Sequence, residues 1–346
     1  MKIIKIIAKL LYPKPKTFEN KFDEVKENDN NNLGDIYIDS DSNDDFVTKL
    51  LFFFFIFFLY LYLSLQKKYF ACFCALAREE NKYAKELISY YSKLGVNKFI
   101  FGDNNILNTE KLSDVLQDYI DNDLVDIYEF FDSDIGQSEF SQSIYEIYKK
   151  KCNWFLFFDF DEYLEIHNES NTNITLQKFL TQEVFDKCET ILFNWVIYTD
   201  NNLIYYDNRT LIERFTEPYF DDSANIFVKS IVRGGLDKII FYPNRSNHVP
   251  DKHVNICDSL GRIIERYNPF FVRPPKFNNG YIKHFSTKTA EEYALKMKRG
   301  QNRNLPYNLT NRIEVFFDHN KFSKKKLKYF QKYFNRTFKP SKRRKL

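Results

Sequence analysis

Two carboxylates spaced two residues apart at the end of an apolar run are the feature of this sequence best suited to chemistry. The run is WFLFF, Trp154 to Phe158, and it leads directly into Asp159-Phe160-Asp161-Glu162. A strand that bends at this point turns Asp159 and Asp161 into one cleft, where hard oxygen ligands suit Mg2+ or Mn2+. An ion held there bridges a diphosphate and stabilises it as a leaving group, which is Lewis-acid catalysis. A bare Asp-X-Asp is weak evidence, because acidic loops commonly read this way. Its place after a strongly apolar strand, with Glu162 as a third acid, sets it apart.

The elements that must position this pair come from Tyr69 onward, where short apolar runs alternate with amphipathic stretches. YFACFCALA reads as a buried strand, and Tyr83, Leu87, Ile88, Tyr91 and Leu94 recur at helical spacing before Gly95 stops the helix. KFIFG is the next strand, a helix from Thr109 buries Leu112, Val115, Leu116 and Ile120, VDIYEF follows as a strand, and Phe140, Ile144, Ile147 and Tyr148 mark another helix. Three strand-helix alternations predict an α/β fold with a largely parallel sheet. In such sheets ligands sit at the carboxyl ends of the strands, where Asp159 falls.

ALAREENKYAKELISYYSKLGVNKFIFGDNN, WFLFFDFDEYLEI, NWVIYTDNNLIYYDNRTLIERF and YIKHFSTKTAEEYALKMKRGQ, in that order, resemble the successive blocks of glycosyltransferases related to families 2 and 92. The blocks run from about Tyr69 to Gln301. The resemblance implies a GT-A-type, Rossmann-like, mostly parallel sheet flanked by helices, and transfer of a sugar from a nucleotide-diphosphate donor to a glycan hydroxyl with Mn2+ or Mg2+. It implies a contact from Arg78 to the nucleotide or its phosphates, Asp103 at the base or ribose, Asp159 and Asp161 as metal pair with Asp159 also near the ribose, and His284 completing the metal site or touching the diphosphate. Phosphate binding by Arg299 is implied in the same way. This chain departs from the family at Arg78-Glu79-Glu80, where Arg-Asn-Glu is usual, and at Tyr90 or Tyr91, where His is common.

Inverting transfer needs a base for the acceptor hydroxyl. Asp200, in Tyr198-Thr199-Asp200-Asn201-Asn202 after a predicted strand, is the first candidate and Glu213 the second; the alternative for either is a turn cap or surface ion pair. His248 and His253, in NHVPDKHV, are either near a metal or ordinary loop histidines. Thr289 and Glu292 form a capping box for a helix carrying Lys296, Lys298 and Arg299.

The remaining segments bear on location. Residues 1–49 read as an Asn/Asp-rich disordered segment, with ten acids between Phe18 and Lys49. Residues 50–66 hold sixteen uncharged residues, LLFFFFIFFLYLYLSL, which favours a membrane anchor over a buried core segment. Lys67, Lys68 and Arg78 after the run, against Asp41, Asp44 and Asp45 before it, oppose a translocated C-terminus. Six glycosylation acceptor patterns, at Asn168, Asn173, Asn208, Asn244, Asn308 and Asn335, favour a lumenal one in the Golgi or ER.

Residues 69–305 are the expected catalytic domain and 306–346 a basic helical tail outside the resemblance. That tail holds twelve of the 51 Lys and Arg from Lys321 onward, leaving 39 bases against 47 acids in the rest. The basic balance is therefore confined to the tail and gives no argument for a nucleic-acid partner. The tail touches anionic lipid, imitates a nuclear signal, or packs by an aromatic stripe of Phe322, Leu327, Phe330 and Phe334. The five cysteines lack metal-site spacing, and Cys72 and Cys74 read as packed neighbours on one strand face rather than a bonded pair. The second reading of the whole chain is a non-catalytic, membrane-attached glycan-binding or interaction protein that keeps the fold.

Overall fold

The computed structural model describes residues 52–57, 68–131, 135–168, 170, 172–237, 239–241, 254–265, 271–300 and 308–338. Residues 52–57 form a helical stretch of exposed Phe and Ile. The rest of the expected anchor, the segment before it, His248, His253 and Asn244 lie outside the described residues. Among the described residues no helix is long and apolar enough to cross a membrane.

Strand β1 (Tyr69–Ala77) starts the domain and helix α1 (Asn81–Leu94) follows, ended by Gly95 at φ 110°, a left-handed conformation that glycine adopts without strain. Then come β2 (Lys98–Asp103), α2 (Leu112–Asp121), β3 (Val125–Glu129), α3 (Gln137–Tyr148) and β4 (Cys152–Phe157). β3, β2, β1 and β4 pair in parallel, as the alternating pattern requires. β1 is buried on both faces. Ala71, Phe73 and Ala75 pack with Leu87, Tyr91, Leu112 and Leu116 of α1 and α2, whereas Cys72 and Cys74 pack with Phe140, Ile144 and Tyr145 of α3. The period-2 alternation of a strand thus serves a helix layer on each side.

Beyond Asp161 the pattern changes. β5 (Glu162–Ile166), α4 (Leu176–Leu180), β6 (Thr190–Tyr198), α5 (Leu211–Arg214), β7 (Pro218–Tyr219), β8 (Val228–Arg233), β9 (Ile256–Asp258), β10 (Gly280–His284), α6 (Ala290–Arg299), α7 (Leu309–His319) and α8 (Lys324–Phe334) complete the order. The sheet runs β3-β2-β1-β4-β8-β6-β10-β5, with β7 and β9 on β6. β8 is antiparallel to both β4 and β6, and β5 is antiparallel to β10. The expected mostly parallel sheet is therefore corrected to a mixed one flanked by helices. β10 is parallel to β6, and the antiparallel pairings come from β8 against β4 and β6, β7 against β6 and β5 against β10.

The basic tail packs. Phe330 of α8 is buried against Tyr293 of α6 and Phe316 of α7, which is the aromatic-stripe outcome. Cys72 and Cys74 are packed side by side and not bonded to each other, as expected, and the structure adds two bonds that the sequence reading did not name: Cys72 bonds Cys152 across β1 and β4, and Cys188 bonds Cys257, leaving Cys74 buried as a free thiol. Neither pairing is visible in spacing, since the partners are 80 and 69 residues apart.

Candidate active site

β4 ends at Phe157, and the next four residues alternate between anchors and acids. Phe158 packs on Phe73 and Phe160 on Phe101, both fully buried. These rings pin the bend, so the carboxylates between them are held by rigid neighbours. Asp159 Oδ2 accepts from Lys229 Nζ at 2.7 Å and Oδ1 from Gln137 Nε2 at 2.8 Å. Asp161 Oδ2 accepts from Lys288 Nζ at 3.0 Å and Lys296 Nζ at 3.1 Å, and its Oδ1 lies 3.7 Å from His284 Nε2. His284 reaches this position because β10 pairs with β5 in a register that sets His284 opposite Glu162.

Charge and burial oppose each other throughout the cluster. Burial alone would raise the Asp161 pKa, but Lys288 and Lys296 hold it well below the usual carboxylate range. Burial pushes Glu162 up to about 8 against the pull of Lys229, with Asp159 and Asp161 adding to the rise. Burial drives His284 down to about 3 despite the nearby Asp161, so its ring is neutral, and its Nδ1 is buried without a hydrogen-bond partner. Lys229, fully buried in β8, keeps its charge through Asp159 and Glu162, which outweigh its desolvation.

Arg78 and Arg299 meet at the loop after β1. Arg299 donates to the Arg78 carbonyl and approaches Glu80 at 3.4 Å, while Arg78 donates to the Asn104 carbonyl. Lys296 and Arg299 are one helical turn apart on α6, so one helix face serves both the loop and Asp161. Asp103 is fully buried, and its two oxygens accept from the backbone N–H groups of Asn105 and Leu112, which fastens the start of α2.

Asp200 lies three residues beyond Ile197, the register partner of His284, and so at the same end of the sheet. Its carboxylate is buried, 2.5 Å from Lys326 Nζ, and accepts from the Asn202 N–H. Glu213 is the partner of Thr210 in the capping box of α5 and is exposed. Tyr90 and Tyr91, where the resemblance departs, hold β5: Tyr90 donates to the Leu164 carbonyl and Tyr91 to that of Glu162.

The family described as glycosyltransferase family 92 matches residues 67–344. The chain belongs to this family. The match includes the basic tail, which the resemblance in sequence had left out, in keeping with its packing on α6 and α7. Two solved structures of S. aureus TarS are similar. "Crystal structure of S. aureus TarS 1-349" shares 11% identity at a TM-score of 0.32, covering 72% of this chain and 70% of that one. "Crystal structure of S. aureus TarS" shares 12% at a TM-score of 0.29, covering 75% and 45%. Comparison with curated proteins finds no match.

This family 92 enzyme is a glycosyltransferase, and two carboxylates with a neutral imidazole are a donor set that suits a hard divalent cation. In arrangement the carboxylates are met by ammonium groups, and among the described residues no three His, Cys, Asp or Glu side chains stand close enough to hold an ion. The residues fit the cation in kind, and the positive charge of Lys288 and Lys296 occupies Asp161. Those lysines, with Lys229, are what sequence reasoning missed as site residues. Lys229 had a signal, a lone lysine inside the apolar run VKSIVR. Lys288 and Lys296 had none beyond proximity to the Thr289 cap.

Proposed function

We propose that this glycosyltransferase takes its sugar from a nucleoside-diphosphate donor and passes it, with inversion, to a hydroxyl of a glycan, on a GT-A-type fold. The observation that carries the reading is the convergence of Lys288, Lys296 and His284 on the buried Asp161, beside Lys229 on Asp159. A leaving diphosphate carries concentrated negative charge. Preorganised ammonium groups stabilise such charge most where water is excluded. Lys288 and Lys296 turn from Asp161 toward the phosphates, and Arg299 and Arg78 hold the neighbouring loop against the nucleotide. Asp161, Asp159 and His284 would hold Mn2+ or Mg2+, which supplies Lewis-acid stabilisation of the leaving group. Nucleotide release from a panel of nucleotide sugars tests this: release with one donor, abolished by EDTA and restored by Mn2+, is expected. No release with any donor returns the chain to the second reading, a glycan-binding protein.

Asp200 is proposed as the base, since it lies at the right end of the sheet, provided it parts from Lys326. Its other role is structural. Asp200→Asn leaves a buried lysine unpaired, which costs about 3–5 kcal/mol, so stability must be restored before rate is read. Asp200→Asn with Lys326→Met should recover most of the melting temperature and still lose roughly 10²-fold or more in transfer rate at unchanged donor affinity. Recovery of turnover together with stability makes Asp200 a structural residue only.

The two disulfides support a catalytic domain in an oxidising compartment, since such bonds are rare in the cytosol. Together with the apolar run at 50–66, this favours a membrane anchor in the secretory pathway and a lumenal site. Denatured without reductant, protein from its native cell should then label with maleimide at a single thiol, Cys74. Five labelled thiols would place the domain in the cytosol.

A further inference from the structure

A cleft among the described residues lies outside the donor chemistry. It has a volume of about 750 Å³, and its lining includes the rings of Phe220, Phe277 and Tyr281 and the polar groups of Glu165, His167 and Asn278. The size is that of a small-molecule site. Phe277 lies 5.4 Å from Phe220 and 6.2 Å from Tyr281, ring to ring, so the three rings form a continuous apolar wall, and Phe220 is 47% exposed. Beside this wall, across the strand pair from Tyr281, stands a carboxylate that is already oriented: Glu165 Oε1 accepts from Tyr281 Oη at 3.2 Å and lies 3.3 Å from His167 Nε2, while Lys283 pairs with its other oxygen. His167 is 9% exposed, and its Nδ1 is buried with no hydrogen-bond partner. A buried ring nitrogen without a partner is costly unless something supplies one.

These groups select a ligand class. Among the described residues Lys283 is the cation paired with Glu165 apart from the histidine, and the carboxylate neutralises it, so the described lining does not favour a phosphate. Aromatic faces with a carboxylate, an imidazole and amides beside them suit a ring that is apolar on one face and rimmed with hydroxyls. We infer that this cleft binds a pyranose of the acceptor glycan. The inference deepens the glycosyltransferase reading and rests on it.

Register says which sugar of the acceptor it is. β5 and β10 join cleft and active site, with Glu165 opposite Tyr281 and Glu162 opposite His284. Three residues along a strand span about 10 Å, and an odd spacing places Glu165 and Tyr281 on the other face from Glu162 and His284. β5 is the last strand of the sheet, so a chain passes round that edge. The ring in the cleft is therefore a distal one, away from the hydroxyl that reacts, and the acceptor is an oligosaccharide rather than a free monosaccharide.

Saturation-transfer NMR on the full protein without nucleotide tests this, with methyl β-D-glucopyranoside, methyl β-D-galactopyranoside, methyl α-D-mannopyranoside and tri-N-acetylchitotriose as probes. At least one should show transfer to its ring protons, and Phe220→Ala and Phe277→Ala should each weaken that binding tenfold or more. Phe220 is half-exposed, so its loss leaves the fold intact. Binding of nucleoside diphosphate with Mn2+ should be unchanged in both variants, which separates the cleft from the donor site. Sugar binding that survives both substitutions, or no transfer to any of the four probes, overturns the inference. Sugar binding lost in the variants alongside an inactive donor panel would keep the cleft and sink the transfer reading alone.

Discussion

Asp161→Asn should reduce the affinity for nucleoside diphosphate in the presence of Mn2+ by 100-fold or more. The carboxylate is the only acid that two lysines and a histidine all face among the contacts of the described cluster. A neutral amide is a poor ligand for a hard cation, and it cannot hold Lys288 and Lys296 in place before the donor arrives. The substitution also has a folding cost. Two ammonium groups with side chains 5% and 27% exposed lose their counter-charge, and breaking a buried pair costs about 3–5 kcal/mol; the more exposed Lys296 recovers part of this through water.

The two effects separate in a second variant. Asp161→Asn with Lys288→Met removes the uncompensated charge, so the denaturation midpoint should rise back toward wild type while Mn2+-dependent binding stays lost. Calorimetric titration with and without Mn2+ reads the second quantity directly. Wild-type affinity in the double variant ends the role of Asp161 in donor binding.

The first half of this fold was legible because it is local. Each strand from β1 to β3 is an apolar run followed by a helix with its own 3.6-residue stripe, β4 closes the series, and such units pair in parallel by a right-handed crossover. The second half depends on pairings that no window of sequence contains. β8 enters between β4 and β6, and β10 between β6 and β5, through register set by contacts far apart in the chain. The site divides the same way. Asp159 and Asp161 announce themselves by type and position, His284 enters through the family resemblance, and the structure brings Asp161 and His284 to 3.7 Å. The lysines do not, since a lysine signals nothing until the carboxylate that neutralises it is known to be near. Asp103 shows the converse: the resemblance and its place at a strand end suggest a ligand contact, and its oxygens accept from the backbone N–H groups of Asn105 in the following loop and of Leu112 at the start of α2.

Glu292 joins the two kinds of information and carries a large expected effect on stability. Thr289 and Glu292 are readable as a capping box, and Thr289 donates to Glu292 from both its N–H and its hydroxyl. The same carboxylate takes a bidentate pair from Arg214 at 2.7 and 3.1 Å and a hydrogen bond from Tyr83. One side chain thus ties α6 to α5 and to α1. Burial would raise its pKa, but the hydrogen bonds from Arg214 and Tyr83 bring it down to about 2. A depressed folded pKa means that the stabilisation is complete above the unfolded value near 4.3 and is lost as pH falls toward 2, a contribution on the order of 3 kcal/mol.

Glu292→Gln should therefore lower stability by about 3–5 kcal/mol at pH 7, since Arg214, 2% exposed, is left buried and unpaired. The penalty should shrink between pH 5 and pH 3, where the wild type loses the same interaction by protonation. Because α6 carries Lys296 and Arg299, loosening it should also weaken nucleotide binding, by a smaller factor than Asp161→Asn does. Urea denaturation of both proteins at pH 7 and pH 3 decides the matter. A difference in midpoint that is the same at the two pH values would mean that Glu292 acts through packing and not through its charge.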